Sequence, residues 1–230
     1  MKTIGMLGGM SWESTQVYYK LVNEEIRKRL GKLHSAKIIL YSLDFEEIEM
    51  LQHKGDWDAT EGILKDGARR IQAGGADFLL ICTNTMHKVA PAIESSINIP
   101  ILHIADAAAT HCLENGYNSV GLLGTRFTME QDFYKGRLLN KYGIEVMVPR
   151  EEERAIVHQV IYDELCNGMI LEESRNKFMK IIENLSVSGA QAVVLGCTEI
   201  PLLFDGEKID VPLVDTTYIH AMKAVEEALR

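Results

Sequence analysis

The chain has 230 residues, of which 47% are hydrophobic and 25% are charged, so it can bury one substantial core or two smaller ones. Its formal net charge of -9 at pH 7 argues against a nucleic-acid partner, because a phosphate backbone is bound through a cationic face. A small anionic substrate is not excluded, since backbone N–H groups and helix N-termini set the local field of a buried pocket.

No apolar run is long enough to indicate a membrane segment: residues 78–82 form one of the longest, against the roughly 20 residues that a spanning helix needs. The N-terminal residues reach Gly8 and Gly9 too early for the apolar part of a signal peptide. We therefore expect a cytoplasmic protein without a membrane partner. The cysteines lack the paired short spacing of a zinc site, so we expect free thiols and no metal; they are Cys82, Cys112, Cys166 and Cys197.

In the first half of the chain, short apolar segments alternate with helical patterns. Residues 3–7 predict a strand, and the amphipathic region 11–30 predicts a long helix that Ser11 would cap at its N-terminus. In chain order there follow a strand at 36–43, a helix at 59–72, a strand at 77–82, a helix at 87–94 and a strand at 100–103.

The second half repeats this order of elements. It predicts a strand at 119–123, a helix at 128–140, a strand at 145–148, helices at 151–166 and 171–187, and a strand at 191–195. A last strand near 211–214 leads into a helix that ends at Arg230. Strands and helices that alternate in this way are typical of parallel sheets flanked by helices.

The repetition extends to individual residues. Gly75-Ala76-Asp77 corresponds to Gly189-Ala190-Gln191, an offset of 114 residues that also aligns Thr83 with Cys197. Two generic halves whose turns share glycines by chance would be the alternative explanation. Because the register agrees at both strand ends, the sequence favours a duplication.

We therefore predict an α/β fold of two similar parallel-sheet αβα domains, related by a pseudo-two-fold duplication, with the active site at their interface. The first domain would comprise residues 1–103 together with a C-terminal helix at 216–230. The second domain would comprise residues 104–215.

Two loops that follow predicted strands carry side chains suited to chemistry. The first contains Thr83-Asn84-Thr85 and His87, and the second contains Cys197-Thr198-Glu199. Ligands of open parallel sheets bind at the carboxyl ends of strands, where hydroxyl and amide groups can hold a carboxylate and helix N-termini favour a thiolate. The loops therefore indicate a proton-transfer site, which His87 either supports directly or accompanies as a hydrogen-bonded structural residue.

The motifs at 83–85 and 196–199 resemble the paired signatures of the aspartate/glutamate racemase family. The segments 8–15 and 84–88 resemble its broad-specificity and aspartate-racemase members, and the resemblance extends over essentially the whole chain. It implies an isomerase that acts on aspartate, glutamate or both without pyridoxal phosphate or a metal. It also implies a homodimer, and two acid/base groups that approach the substrate α-carbon from opposite faces.

The sequence departs from the family at one catalytic position. Where relatives usually carry Cys-Asn-Thr, this chain has Thr83-Asn84-Thr85, and Cys82 lies one residue too early. Because strand side chains alternate between faces, Cys82 would turn away from a site that Thr83 faces. We therefore expect Thr83 and Cys197 to form the catalytic pair. The resemblance implies that Cys197 takes the proton from the L-isomer, so the D-isomer would be a poor substrate.

The resemblance also implies substrate contacts from six residues: Met10, Gln52, Asn84, Thr85, Thr198 and Glu199. Met10, just before the cap of the first helix, is also explained by simple packing. Some relatives hold the side-chain carboxylate of the substrate with a lysine, but residues 162–167 contain no basic residue. A narrow selectivity for acidic side chains is therefore not implied.

Other functions are compatible with these residues. A single thiol can protonate a carbanion after decarboxylation, as in proteins similar to arylmalonate decarboxylase, and hydantoin racemase and maleate isomerase are further relatives. A ligand-binding protein that lost one catalytic cysteine is a non-enzymatic alternative. The motifs at 8–15 and 84–88 favour an amino-acid racemase, and Cys82, Cys112 and Cys166 are expected to be structural.

Overall fold

The computed structural model describes residues 1–204 and 207–230. The chain divides into two compact units, of which the first comprises Met1–Ile104 with His220–Arg230 and the second comprises Ala105–Ile219. Each unit contains its own parallel sheet with helices packed on it. The α/β fold class expected from the sequence is therefore confirmed.

The first unit is built on a three-stranded sheet. Its strands are β1 (Ile4–Gly8), β2 (Ile38–Ser42) and β3 (Phe78–Ile81), all parallel, in the order β2-β1-β3. The helices between them and after them are α1 (Trp12–Leu30), α2 (Phe45–Lys54), α3 (Trp57–Ala73) and α4 (Ala90–Glu94). A 3-10 turn at Thr85–Val89 connects β3 to α4.

The second unit is built on a four-stranded sheet. In chain order its elements are α5 (Ile104–Glu114), β4 (Ser119–Gly124), α6 (Arg126–Glu130), α7 (Asp132–Tyr142), β5 (Glu145–Met147), α8 (Glu151–Asp163), α9 (Glu172–Val187), β6 (Ala192–Gly196) and β7 (Leu213–Asp215). The strands are parallel in the order β5-β4-β6-β7. The last helix, α10 (Thr216–Leu229), begins in the second unit and contributes its residues from His220 onward to the first.

Side chains along β3 alternate between two buried clusters, as the pleat of a strand requires. Leu79 and Ile81 pack in a cluster that contains residues of α2 and α3. Phe78, Leu80 and Cys82 pack in another cluster, with residues of α1 and α10. Helices thus cover both faces of this sheet, which is why its strands read as continuous apolar runs.

The duplication is visible in matching hydrogen bonds at the start of β3 and β6. The Asp77 N–H donates to the carbonyl oxygen of Thr3, and the Gln191 N–H donates to that of Ser119, both at 2.9 Å. In addition, the Asp77 side chain accepts from the N–H of Thr3, and the Gln191 side chain accepts from the N–H of Ser119. The two units therefore use one local design at corresponding positions.

The predicted helix at 128–140 is two helices in the structure, α6 and α7, because Gln131 adopts an extended conformation with ψ of 155°. Met129 is buried on α6, and Tyr134 is buried on α7. Five residues advance a continuous helix by well over a full turn, to a different face. The break at Gln131 lets both side chains reach the core.

The predicted strand at 100–103 is only an isolated bridge between Leu79 and Ile101. Pro100 has no N–H to extend the ladder, so the pairing is confined to this bridge. Two helices were not predicted. The capping residues Asp44 and Gly55 could have indicated α2 in the sequence. In contrast, α5 is apolar on most sides, so its apolar residues do not recur with the period of a helix.

An ion-pair cluster in the second unit should stabilise the protein in a way that depends on pH. Asp106 accepts from Arg137 Nη2 at 2.8 Å and from Lys141 Nζ at 2.7 Å. Burial by itself would raise the pKa of Asp106, but the bonds from Arg137 and Lys141 outweigh it and lower that pKa. A carboxylate whose pKa is lowered by folding stabilises the protein above its unfolded pKa.

We expect Asp106→Asn to lower the free energy of unfolding by about 1–2 kcal/mol at pH 7. The deficit should shrink as the pH falls below about 4, where the carboxylate of the unfolded chain takes up a proton first, and it should disappear below the lowered pKa of the native carboxylate. Urea unfolding at pH 7 and pH 3 measures both values. Glu173→Gln, which removes an exposed pair with Lys177, is the control and should have a much smaller effect. A pH-independent deficit for Asp106→Asn would contradict the assignment.

Among the helices within residues 1–204 and 207–230, none combines the length and the apolar character that crossing a membrane requires.

Candidate active site

The loop after β1 is shaped by a glycine that has no space for a side chain. Gly9 has a φ of +88°, and a Cβ at this position would lie 2.2 Å from the carbonyl oxygen of Leu43. The Gly9 N–H donates to Thr15 Oγ1 at 2.8 Å. Ser11 Oγ accepts from the Ser14 N–H at 3.3 Å, so Ser11 caps α1 as predicted. These contacts fix the backbone between β1 and α1.

At the end of β3 the thiol of Cys82 and the hydroxyl of Thr83 occupy different environments. Cys82 is fully buried in the core cluster under α1 and α10, and burial raises the pKa of its thiol far above its ordinary value. Thr83 is partly exposed. The expectation that Cys82 turns into the core is therefore confirmed, whereas its neighbour Thr83 stays partly exposed at this strand end.

Asn84 and Thr85 follow at the start of the 3-10 turn and are almost completely buried, with 2% and 6% of their surfaces exposed. The carbonyl oxygen of Asn84 accepts from the His87 N–H at 3.1 Å, which closes the turn. The His87 ring reaches back to the carbonyl oxygen of Thr83, 2.8 Å from its Nδ1. Thr83, Asn84 and Thr85 thus lie in one short loop that these two hydrogen bonds hold in place.

The end of β6 in the second unit has the corresponding design. Gly196, the residue aligned with Cys82, has no space for a side chain, since a Cβ would lie 2.9 Å from the carbonyl oxygen of Leu123. Cys197 comes next and is 8% exposed at the edge of the core of this unit. A 3-10 turn at Ile200–Phe204 follows, as one follows Thr83 in the first unit.

Cys197, Thr198 and Glu199 form a hydrogen-bonded group. Cys197 Sγ donates to Glu199 Oε2 at 3.1 Å, and Thr198 Oγ1 donates to the same oxygen at 2.7 Å. Burial raises the pKa of the Cys197 thiol well above its ordinary value, and the negative charge of Glu199 and the nearby Cys166 raise it further. The resting cysteine is therefore a thiol whose proton already points at a carboxylate.

Met10 and Gln52, the remaining predicted contacts, lie in the first unit. Met10 is 3% exposed and packs in one core cluster with Ile48 and Met86. Gln52 is one helical turn after Ile48 on α2 and is 2% exposed. Its Oε1 is buried and accepts no hydrogen bond from the described residues. Gln52 thus offers a buried acceptor, whereas the packing of Met10 has a structural explanation of its own.

Two buried histidines beside His87 were not predicted from the sequence. The ring centroids of His103 and His220 lie 4.4 Å and 6.1 Å from that of His87. These residues are far apart in the sequence, so no short motif joins them. The sequence did contain one indication that His220 is buried, because His220 lies about one helical turn before the buried Ala224 on α10.

The described residues contain no group of three or more His, Cys, Asp or Glu side chains that could hold a metal ion. The chemistry that the candidate residues can supply is acid/base chemistry. Cys197 and Glu199 can exchange a proton, Thr83 can donate one, and the amide and hydroxyl groups beside them can bind a carboxylate.

Comparison with known proteins gives consistent matches over the whole chain. A sequence model of the family described as Asp/Glu/hydantoin racemase matches residues 7–224. The broad specificity amino-acid racemase RacX of Bacillus subtilis (strain 168) is 23% identical over 231 residues, which covers 98% of each chain.

Two similar solved structures cover this chain and their own chains completely. A candidate Asp/Glu racemase from Yersinia pestis is 50% identical with a TM-score of 0.93. An aspartate racemase homologue from Pyrococcus horikoshii OT3 is 34% identical with a TM-score of 0.85.

Proposed function

This chain belongs to the Asp/Glu/hydantoin racemase family, and from that premise we propose that it is a cofactor-independent isomerase that racemises aspartate, glutamate or both. We propose Cys197 and Thr83 as its acid/base pair. The relatives that are named racemases support the class of reaction. The choice of residues rests on the two strand-end loops.

The observation that carries the proposal is the contact between Cys197 and Glu199. A base must be deprotonated before it can remove a proton, and the raised pKa of the thiol opposes this. The 3.1 Å hydrogen bond supplies a direct acceptor, Glu199 Oε2. Transfer of the thiol proton to this carboxylate produces a thiolate at the moment when a substrate needs it.

In the proposed reaction, the Cys197 thiolate removes the α-proton of the L-isomer and becomes a thiol again. The electron pair stays on the α-carbon and is delocalised into the substrate carboxylate, which a donor such as the side-chain amide of Asn84 would stabilise. The Thr83 hydroxyl then gives its proton to the opposite face, which produces the D-isomer. The proton held on Glu199 returns through solvent to the Thr83 oxygen, so the enzyme is reset.

The pair is asymmetric, because a threonine hydroxyl is a far weaker base than a thiolate. We therefore propose that the L-isomer is turned over efficiently and the D-isomer poorly. Residues 162–167 supply no cation for an acidic side chain, and Glu164 Oε2 is buried there without a hydrogen-bond partner among the described residues. Neutral and basic amino acids belong in the test beside aspartate and glutamate.

The test is proton NMR of each L-amino acid with the purified protein in deuterated water, followed by chiral chromatography. Loss of the α-proton signal together with appearance of the D-isomer is the expected result. Loss of carbon dioxide from a malonate-type acid, without exchange on amino acids, would favour a decarboxylase. Binding without either reaction would favour a ligand-binding protein.

Replacing Glu199 should make alkylation of Cys197 faster and α-proton exchange slower. Glu199→Gln removes a negative charge that raises the pKa of Cys197, so alkylation of Cys197 by iodoacetamide at pH 8 should become severalfold faster. The same change removes the proton acceptor, so α-proton exchange should fall by about 10²-fold or more. Thr198→Val is the matched control for the alkylation rate, because it removes the other donor to Glu199 Oε2 and keeps the charge. Slower alkylation in Glu199→Gln would contradict this account.

We further propose that the active protein is a cytoplasmic homodimer that has no nucleic-acid or membrane partner. The support for the dimer is the family resemblance of the sequence. Sedimentation velocity of the purified chain tests it: a single species at twice the chain mass is expected, and a monomer at the concentration of the activity assay would exclude a functional dimer.

A further inference from the structure

His87 is held through both nitrogens of its ring by main-chain groups of the first unit. Its Nδ1 lies 2.8 Å from the carbonyl oxygen of Thr83, and its Nε2 accepts from the Ile104 N–H at 3.2 Å. The side chain is 1% exposed. His87 therefore connects the loop that carries Thr83 to Ile104, the last residue of the first unit before the chain enters the second.

These two contacts determine which nitrogen carries the proton. A main-chain N–H can only donate, so the Nε2 that faces Ile104 must present its lone pair. In the neutral ring the hydrogen is then on Nδ1, which donates to the carbonyl oxygen of Thr83. Nδ1 thus donates to the carbonyl oxygen of Thr83 and Nε2 accepts from the N–H of Ile104, so the ring links these two main-chain groups.

Two further buried histidines pack around this ring. The ring centroid of His103 lies 4.4 Å away and that of His220 lies 6.1 Å away. His220 is itself fixed, with its Nε2 2.7 Å from the carbonyl oxygen of Leu102 and its Nδ1 2.8 Å from the Tyr18 hydroxyl. Burial lowers the pKa of His220 to about 4, so it is neutral near pH 7. This packing leaves the His87 ring little freedom to rotate.

We propose that His87 is the positioning residue for Thr83, and that its hydrogen bond to the Thr83 carbonyl oxygen sets the direction of the Thr83 hydroxyl. The inference rests on the proposed function, in which Thr83 returns the proton. The bond fixes the peptide unit after Thr83 and so restricts the backbone from which the side chain projects. A misplacement of about 1 Å can cost about 100-fold in rate. Loss of the bond therefore weakens proton return by Thr83 and leaves proton removal by Cys197 intact.

Asparagine and glutamine at position 87 separate the two contacts. In His87→Asn the side-chain amide N–H occupies the place of Nδ1 and can still donate to Thr83, but the side chain is too short to reach Ile104. In His87→Gln the amide oxygen reaches the place of Nε2 and can accept from Ile104, but Thr83 loses its donor. Each variant loses one hydrogen bond and the ring packing, so the two form a matched pair.

The readout is the ratio of α-deuterium incorporation to inversion, measured with an L-amino acid in deuterated water. Incorporation without inversion reports removal and return of the proton by Cys197 alone, whereas inversion requires Thr83. We expect His87→Gln to raise this ratio at least about tenfold over wild type, and His87→Asn to keep it near the wild-type value whatever the absolute rates. Equal ratios in the two variants, or a rise in His87→Asn alone, would overturn the inference.

Two observations on the wild type complete the test. Nitrogen NMR of the His87 ring should show a neutral ring with the proton on Nδ1, and the other tautomer or a cationic ring would overturn the inference even if His87→Gln fails to fold. Wild-type protein that neither incorporates deuterium nor inverts any amino acid would refute the proposed function itself. A wild type that does both, with unchanged ratios in the variants, would refute only the role of His87.

Discussion

Cys197→Ser is expected to lower α-proton exchange on the L-substrate by about 10²- to 10⁴-fold, the contribution that one positioned acid/base group typically makes. The serine hydroxyl keeps the size and polarity of the thiol but ionises far less readily. It can still donate to Glu199 Oε2, so the local structure should survive. Proton NMR in deuterated water measures the loss.

The matched control for this experiment is Cys166→Ser, which replaces another thiol of the second unit. Cys166 packs against the core cluster that contains Cys197, and it affects the pKa of Cys197 less than burial and Glu199 do, so the exchange rate should stay close to wild type. Equal losses in the two variants would show that the thiols act through stability and not through chemistry. Thermal unfolding of both variants separates these causes.

Thr83→Cys is expected to raise kcat/KM for the D-isomer by about 10²-fold or more, because a thiol ionises where a hydroxyl does not. The residue is partly exposed at the strand end, so a thiol there can reach a ligand. Exchange of the D-isomer in deuterated water is the direct measurement. No gain with the D-isomer would count against Thr83 as the second acid/base group.

Thr83→Val is the companion variant, since valine has the shape of threonine without the hydroxyl. We expect inversion of the L-isomer to fall by about 10²-fold while α-deuterium incorporation continues through Cys197. The core neighbour offers a further control, because Cys82→Ala should leave the ratio of incorporation to inversion unchanged. A Cys82→Ala variant that loses inversion selectively would move the catalytic role from Thr83 to Cys82.

Much of the fold was predictable because parallel strands buried on both faces appear as short apolar runs between amphipathic helices. The predicted strand at 77–82 contains β3, and the one at 191–195 overlaps β6. The failures have local causes. Gln131 breaks a helical pattern that continues in sequence, and only the position of Met129 and Tyr134 relative to the core explains the break.

The sequence also indicated which neighbour of Thr83 is structural. Alternation along a strand is enough to turn Cys82 into the core, and the position aligned with it in the second half is Gly196. The His87 contacts could not be predicted in this way. They depend on Ile104, and on a ring neighbour from α10 that lies more than a hundred residues further along the chain.

The sequence by itself determined the α/β class, the repeat, and the two loops that carry Thr83 and Cys197, because strand period and strand-end position are local properties of the chain. Only the tertiary structure decided the state of the groups in those loops. Burial and the Glu199 carboxylate keep the Cys197 thiol protonated, and main-chain groups fix the ring of His87. These effects depend on exclusion of water and on contacts between distant residues, which local sequence does not specify.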